Sequence, residues 1–289
     1  MKRRLVCYAL AVVLSSSGQP SNAQEPTGLA ASALGNPAFT WLRRSVPGFR
    51  VYILADSYPA RYQDSLLARL PSAARHAEAM LQIEPLAQPI DLFFIESREQ
   101  MTQLIGARAT GFAQPSARAV FLVTNPTWRA FERHEIMHVI AGQAWGRPGP
   151  NTDWLVEGLA QAADGRCGSF TNADVLLALA TRRGWIPFPT VLTEFRNQPD
   201  LRAYLQAAAF VDQLLGRFGP TPLKELWTRG AAVDGVRWDD AHGDRGGMAR
   251  GTARDGSTER RGARRNRNQG LRLAGHRRSN ARYWIASAT

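Results

Sequence analysis

The feature that most constrains the fold of this chain is a pentapeptide at its centre, His134-Glu135-Ile136-Met137-His138. On an α-helix, residues four apart project from one face a turn apart, so both imidazoles can reach a single ion. Glu135 then lies beside them, where it can polarise a water at the open position of that ion, and zinc suits such a geometry. Trp128, Phe131, Val139 and Ile140 give the helix an apolar side. It is therefore read as a core helix, on which two histidines and a glutamate are costly to bury without a purpose. The alternative is a helix on which these are ordinary surface residues. Thr127 is the expected N-cap, and the helix is expected to run to about Trp145 and stop at Gly146.

A catalytic zinc needs three protein ligands and one open position. The metzincin pattern is excluded, because it requires Gly three residues and His six residues after the second histidine, where this chain has Ala141 and Ala144. Glu157 is the better third ligand. It sits in Trp154-Leu155-Val156-Glu157-Gly158-Leu159-Ala160, with eighteen residues between it and His138. The segment Gly146-Arg147-Pro148-Gly149-Pro150 is expected to turn the chain so that two helices pack side by side. Gly158 and Ala160 would allow their backbones to approach.

This arrangement, HEIMH followed by Glu in a WLVEGLA segment, resembles the gluzincin superfamily of HExxH metallopeptidases, and most of all its small exported peptidase MA-like members. The resemblance covers roughly residues 48 to 220. It implies a zincin-like fold in which His134, His138 and Glu157 bind Zn2+ and Glu135 is the general base. It also implies that the strand before the active-site helix, here Ala117 to Thr124, is the sheet edge that pairs with an extended peptide. Tyr204 is the implied oxyanion donor, since related sequences often carry Tyr at the start of this helix; the alternative is a core tyrosine with its hydroxyl at the surface. Two departures matter. The Gly-x-Met-Glu-Asn segment of the aminopeptidase branch has no counterpart here, which favours an endopeptidase. Where thermolysin-like members place an Asp four residues after the ligand Glu, this chain has Gln161, with Asp164 nearly a turn further, and either could support a zinc-bound histidine. Arg118 and Trp154 are candidates to line the cleft, Trp154 more simply as packing. His76 is expected on the solvated side of its helix.

Where the protein works is read from its first residues. Lys2, Arg3 and Arg4 precede an apolar run from Leu5 to Leu14, and Ser21-Asn22-Ala23 suits cleavage before Gln24. The run is too short for the roughly 20 residues that a membrane core needs. Export to the periplasm or beyond is expected, with no membrane span after cleavage. Cys167 is then the only cysteine, which excludes an internal disulfide.

The net charge of +12 suggests nucleic acid until its distribution is examined. Residues 24–240 carry 21 basic and 21 acidic side chains, and the excess lies in the leader and in residues 241–289, with twelve Arg against three acids. The body is balanced, so its partner is expected to be a peptide or protein substrate and not nucleic acid.

The expected organisation is a signal peptide over 1–23, a leader segment over 24–47, a metallopeptidase domain over 48–240 and a disordered Arg/Gly-rich tail over 241–289. The tail is read as a basic arm or as an out-of-frame end without selected structure. Within the domain, a strand from Phe49, a helix over Arg61 to Ile83 containing Pro71, a strand over Ile90 to Ile95 and a helix over Arg98 to Ile105 make a β-α-β opening. Gly111 is read as flexible. Helices over Val175 to Arg182, Leu201 to Arg217 and Pro222 to Arg229 complete an α+β class: an N-terminal mixed sheet with helices, then a mostly helical half. Two rivals to a working peptidase keep the same fold: a non-catalytic zinc- or peptide-binding protein, and an inactive truncated product.

Overall fold

The computed structural model describes residues 24–198 and 201–230; the expected signal peptide and basic tail lie outside them. The chain begins with helix α1 (Gly28–Gly35), then strands β1 (Trp41–Val46) and β2 (Phe49–Leu54), helices α2 (Tyr58–Arg61) and α3 (Gln63–Leu81), and strand β3 (Ile90–Ile95). Helix α4 (Arg98–Ile105) leads to strands β4 (Gly111–Gln114) and β5 (Ala119–Val123). The five strands form one sheet in the order β1-β2-β3-β5-β4, with β2, β3 and β5 parallel and the two outer strands antiparallel to their neighbours.

Sequence pattern explains the layering. β3 and β5 are buried along their whole length, as expected of central parallel strands covered on both faces. Leu92, Phe94, Val120 and Leu122 turn to the layer that holds α3 and the later helices. Phe93, Ile95, Phe121 and Val123 turn to α1 and α4. On that second face Phe93 stacks between Tyr52 (4.7 Å) and Phe121 (4.5 Å). The one acid in β3, Asp91, is 1% exposed and is held by a two-pronged contact from Arg50 at 2.7 and 2.8 Å. α4 has the bounds read from the sequence because Ser97 and Gln100 form a reciprocal capping box and Gly106 closes it in the left-handed region.

Three segments differ from expectation. Residues 24–47, read as a leader, contain α1 and β1, and β1 pairs with β2 from Trp41↔Leu54 to Val46↔Phe49. The strand expected over Ala117–Thr124 is shorter, because Pro115–Ala117 forms a 3-10 turn and Arg118 takes a left-handed conformation. That strand is also interior, since β4 pairs beyond it, from Gly111↔Leu122 to Gln114↔Ala119. The terminal strand is therefore β4, and Gly111, read as a flexible point, is its first residue.

The helical half begins at α5 (Glu132–Trp145), four residues later than a cap at Thr127 implies. Asn125 causes the delay: its side-chain oxygen accepts from the N–H groups of Thr127 (2.9 Å) and Trp128 (2.8 Å), closing a local turn that competes with helix. Consequently Trp128 lies off the helix and is 38% exposed. After the Gly/Pro turn comes α6 (Asp153–Asp164), then a short hairpin, β6 (Arg166–Cys167) with β7 (Phe170–Thr171), and helices α7 (Asn172–Arg183), α8 (Phe188–Thr193), α9 (Leu201–Phe218) and α10 (Pro220–Arg229). The 146–150 turn is clamped by α10: Gly149 N–H donates to the Trp227 carbonyl at 2.7 Å, and the Trp227 indole donates to the Gly146 carbonyl at 2.9 Å. Among the described residues no helix is long and apolar enough to cross a membrane.

Gly158 does permit close approach, but against α9 and not α5. A Cβ placed on it would lie 2.9 Å from the backbone carbon and oxygen of Ala207. Backbone cannot rotate away as a side chain can, so Gly158→Ala should destabilise the fold by about 1–3 kcal/mol. Chemical denaturation checks this, and an unchanged midpoint would contradict the packing.

Candidate metal centre

Helix α5 is buried around most of its circumference, with Ile136, Met137, Val139, Ile140 and Ala141 inside. That surround carries His134 (5% exposed) and Glu135 (4%) into the interior. His134 and His138 follow each other by one helical turn, their rings 4.8 Å apart and nearly perpendicular at 79°. Helix α6, turned back by the clamped linker, brings Glu157 over them. Its Oε2 lies 3.4 Å from Nε2 of His134 and 3.7 Å from Nε2 of His138. One donor atom from each of the three residues falls within a 4.8 Å cluster.

The donor types, and two of the three separations between them, suit zinc, within a cluster that spans up to 4.8 Å. Ligand atoms that each sit at about 2.0–2.2 Å from one tetrahedral ion are separated by roughly 3.3–3.6 Å. Both contacts of Glu157 are close to that spacing, and two imidazole nitrogens with one carboxylate are the ligand types of catalytic zinc sites.

The groups polarise one another strongly. Burial pushes the Glu157 carboxyl up, but His138 and His134 outweigh it and hold it far below the usual carboxylate range. Burial pushes His134 down, and Glu157, Glu135 and Asp164 together raise it above the ordinary imidazole value. Burial dominates at Glu135 and raises it, against the pull of the two histidines. The contrast is between a carboxylate held charged, Glu157, and a neighbouring carboxyl with raised proton affinity, Glu135.

The supporting residues are divided more clearly than the sequence allows. Asp164 is buried and gripped by Arg129, whose Nη2 lies 3.1 and 3.0 Å from its two carboxylate oxygens, and its charge reaches His134. Gln161 faces away: it exchanges hydrogen bonds with Asn172 at 2.9 and 2.7 Å, tying α6 to α7. Tyr204, on α9, packs on Phe195 with ring centres 4.9 Å apart. Burial, reinforced by the charge of Glu157, pushes its phenol up, so its hydroxyl keeps its proton and remains a donor.

Other candidates fall elsewhere. Trp154 is 1% exposed and packs on Phe210, so it belongs to the core and not to a cleft. Arg118 reaches the Pro89 carbonyl and Gln24, which fixes it to the start of the sheet. His76 is half-buried, so its side of the helix is only partly solvated; burial lowers it, with Arg133 adding to the effect and the Ala163 backbone opposing it. Two residues at the site escape a reading of the sequence. Arg129 carries no local signal, being a lone Arg in a loop. Gly111 lies so close to Glu135 that a Cβ there would stand 2.2 Å from its Oε1. A glycine opening a strand of apolar and small residues is the available sign.

No protein-family model matches the chain, and no curated protein matches it.

Proposed function

We propose that the chain is an exported zinc-dependent peptidase of the gluzincin type, an endopeptidase that hydrolyses internal amide bonds of peptides or proteins. The observation that carries the reading is the convergence of His134, His138 and Glu157 with a buried second carboxylate, Glu135, on the same helix as the two histidines. When bound, zinc would supply an acidified water and polarisation of the scissile carbonyl. Glu135 takes a proton from the attacking water and delivers it to the leaving amine nitrogen, roles suited to a carboxyl whose proton affinity burial has raised. Tyr204, protonated and within the field of Glu157, donates to the oxygen on which negative charge develops. Asp164, held by Arg129, places its negative charge within reach of His134 and so raises the basicity of that imidazole as a ligand. An extended peptide would pair with terminal strand β4, which starts beside Glu135.

The test is metal content with cleavage. Mass spectrometry on the full chain should find one zinc per molecule and none in His138→Ala, and the zinc-loaded chain should cut members of a fluorogenic peptide library. A metal-free parent would sink the reading at its first step. One zinc without cleavage would instead favour a binding protein of the same fold.

A further inference from the structure

We propose that Gly111 is a positioning residue for Glu135: the missing side chain at the first residue of β4 is the space that the Glu135 carboxylate occupies. The three atoms nearest to a Cβ built on Gly111 all belong to Glu135: Oε1 at 2.2 Å, Cδ at 2.8 Å and Cγ at 3.0 Å. The space is thus filled along the length of one side chain. Backbone conformation does not account for the glycine, because Gly111 is not among the residues with positive φ. Strand preference does not account for it either, since glycine weakens a strand relative to alanine by about 0.5–1 kcal/mol.

The neighbouring residues fit the same account. Ala113, two residues on and on the same face of β4, turns its methyl into the layer of α5, so a side chain is tolerated there. At Gly111 the α5 side is taken by the carboxylate. Glu135 is 4% exposed, and the negative charges that reach it are Glu157 and Asp164. A methyl at Gly111 would drive the carboxylate off its present place, with no open solvent to receive it. The terminal strand and the candidate base are therefore fitted to each other at one residue. This rests on the assignment of Glu135 as the base, and the measurement below separates the two.

The experiment is a double-mutant cycle on the full, zinc-loaded chain: parent, Gly111→Ala, Glu135→Ala and both together. Gly111→Ala should lower the melting temperature of the parent and leave that of Glu135→Ala unchanged or raised, because the second background has no carboxylate to displace. Should Gly111→Ala fail to fold, recovery of folding in the double variant supports the inference equally. Zinc should remain at one per chain in Gly111→Ala. Its kcat should fall by about 100-fold, the cost of misplacing a reacting group by roughly 1 Å, with KM within twofold of the parent. An equal loss of melting temperature in both backgrounds overturns the inference, as does an unchanged kcat. If the parent cleaves nothing while the cycle still couples the two residues, the peptidase reading fails and the fit of Gly111 to Glu135 stands.

Discussion

Glu135→Gln should lower peptide turnover by about 10²–10⁴-fold, the range that a positioned general base contributes, and leave one zinc bound per chain. Gln keeps the shape of the side chain in the space beside Gly111, so packing around it changes little. What it loses is the ability to take a proton from water and return it to the leaving amine. The ligand atoms belong to His134, His138 and Glu157, so metal content should not follow activity. Stability should not fall either. The carboxyl is 4% exposed and burial opposes its charge, so the neutral amide removes an unfavourable burial and should leave the melting temperature at or above that of the parent. Release of product from a peptide library, metal analysis and a thermal scan test the three parts together. Turnover within twofold of the parent would dismiss Glu135 as the base. Loss of zinc would mean instead that Glu135 is itself a ligand.

The parts of this site that can be read from the sequence are those set by local spacing. His134 and His138 need only the helical repeat, and Glu157 needs only a second helix after a Gly/Pro break. α4 is delimited by Ser97, Gln100 and Gly106, whose chemistry acts within a few residues. Long-range pairing is not legible. Nothing within Ala117–Thr124 indicates whether one strand or two lie beside it, so β5 reads as an edge until the pairing of β4 is seen. A strand of four residues opening with glycine gives a weak signal, and β1, with exposed Arg43 and Arg44, has little apolar alternation. Helix-to-helix partners are equally hidden: a glycine announces close approach but not to what, and Gly158 meets α9. The start of α5 departs from the sequence pattern because the Asn125 side chain competes for the N–H groups that a helix cap at Thr127 would free. Asp164 and Gln161, three residues apart on one helix, are separated only by their partners, Arg129 and Asn172.

Zinc should also be a large contributor to the stability of the fold, and its removal should lower the melting temperature by roughly 8–16 °C. A ligand that binds only the folded chain, at about 1,000 times its dissociation constant, stabilises by about 4 kcal/mol. Each kcal/mol moves the melting temperature of a domain of this size by about 2–4 °C. The three donors join α5 and α6, so an ion held between them adds to the core that the two helices already share and to the 146–150 turn that links them. Glu157→Gln should abolish the zinc-dependent shift, since an amide oxygen neutralises no charge and ligates weakly. The sign of the pH dependence follows from His134, which its acidic neighbours raise above the ordinary imidazole value. Protons compete with the metal for that nitrogen, so the shift should be full at high pH and shrink as pH falls through the raised imidazole range. The measurement is a pair of thermal scans, with zinc and with a chelator, at several pH values for the parent and for Glu157→Gln. Coincident scans for the parent at neutral pH would mean that His134, His138 and Glu157 hold no ion tightly enough to matter, and the two imidazoles would then have to be explained as partners of Glu157 alone.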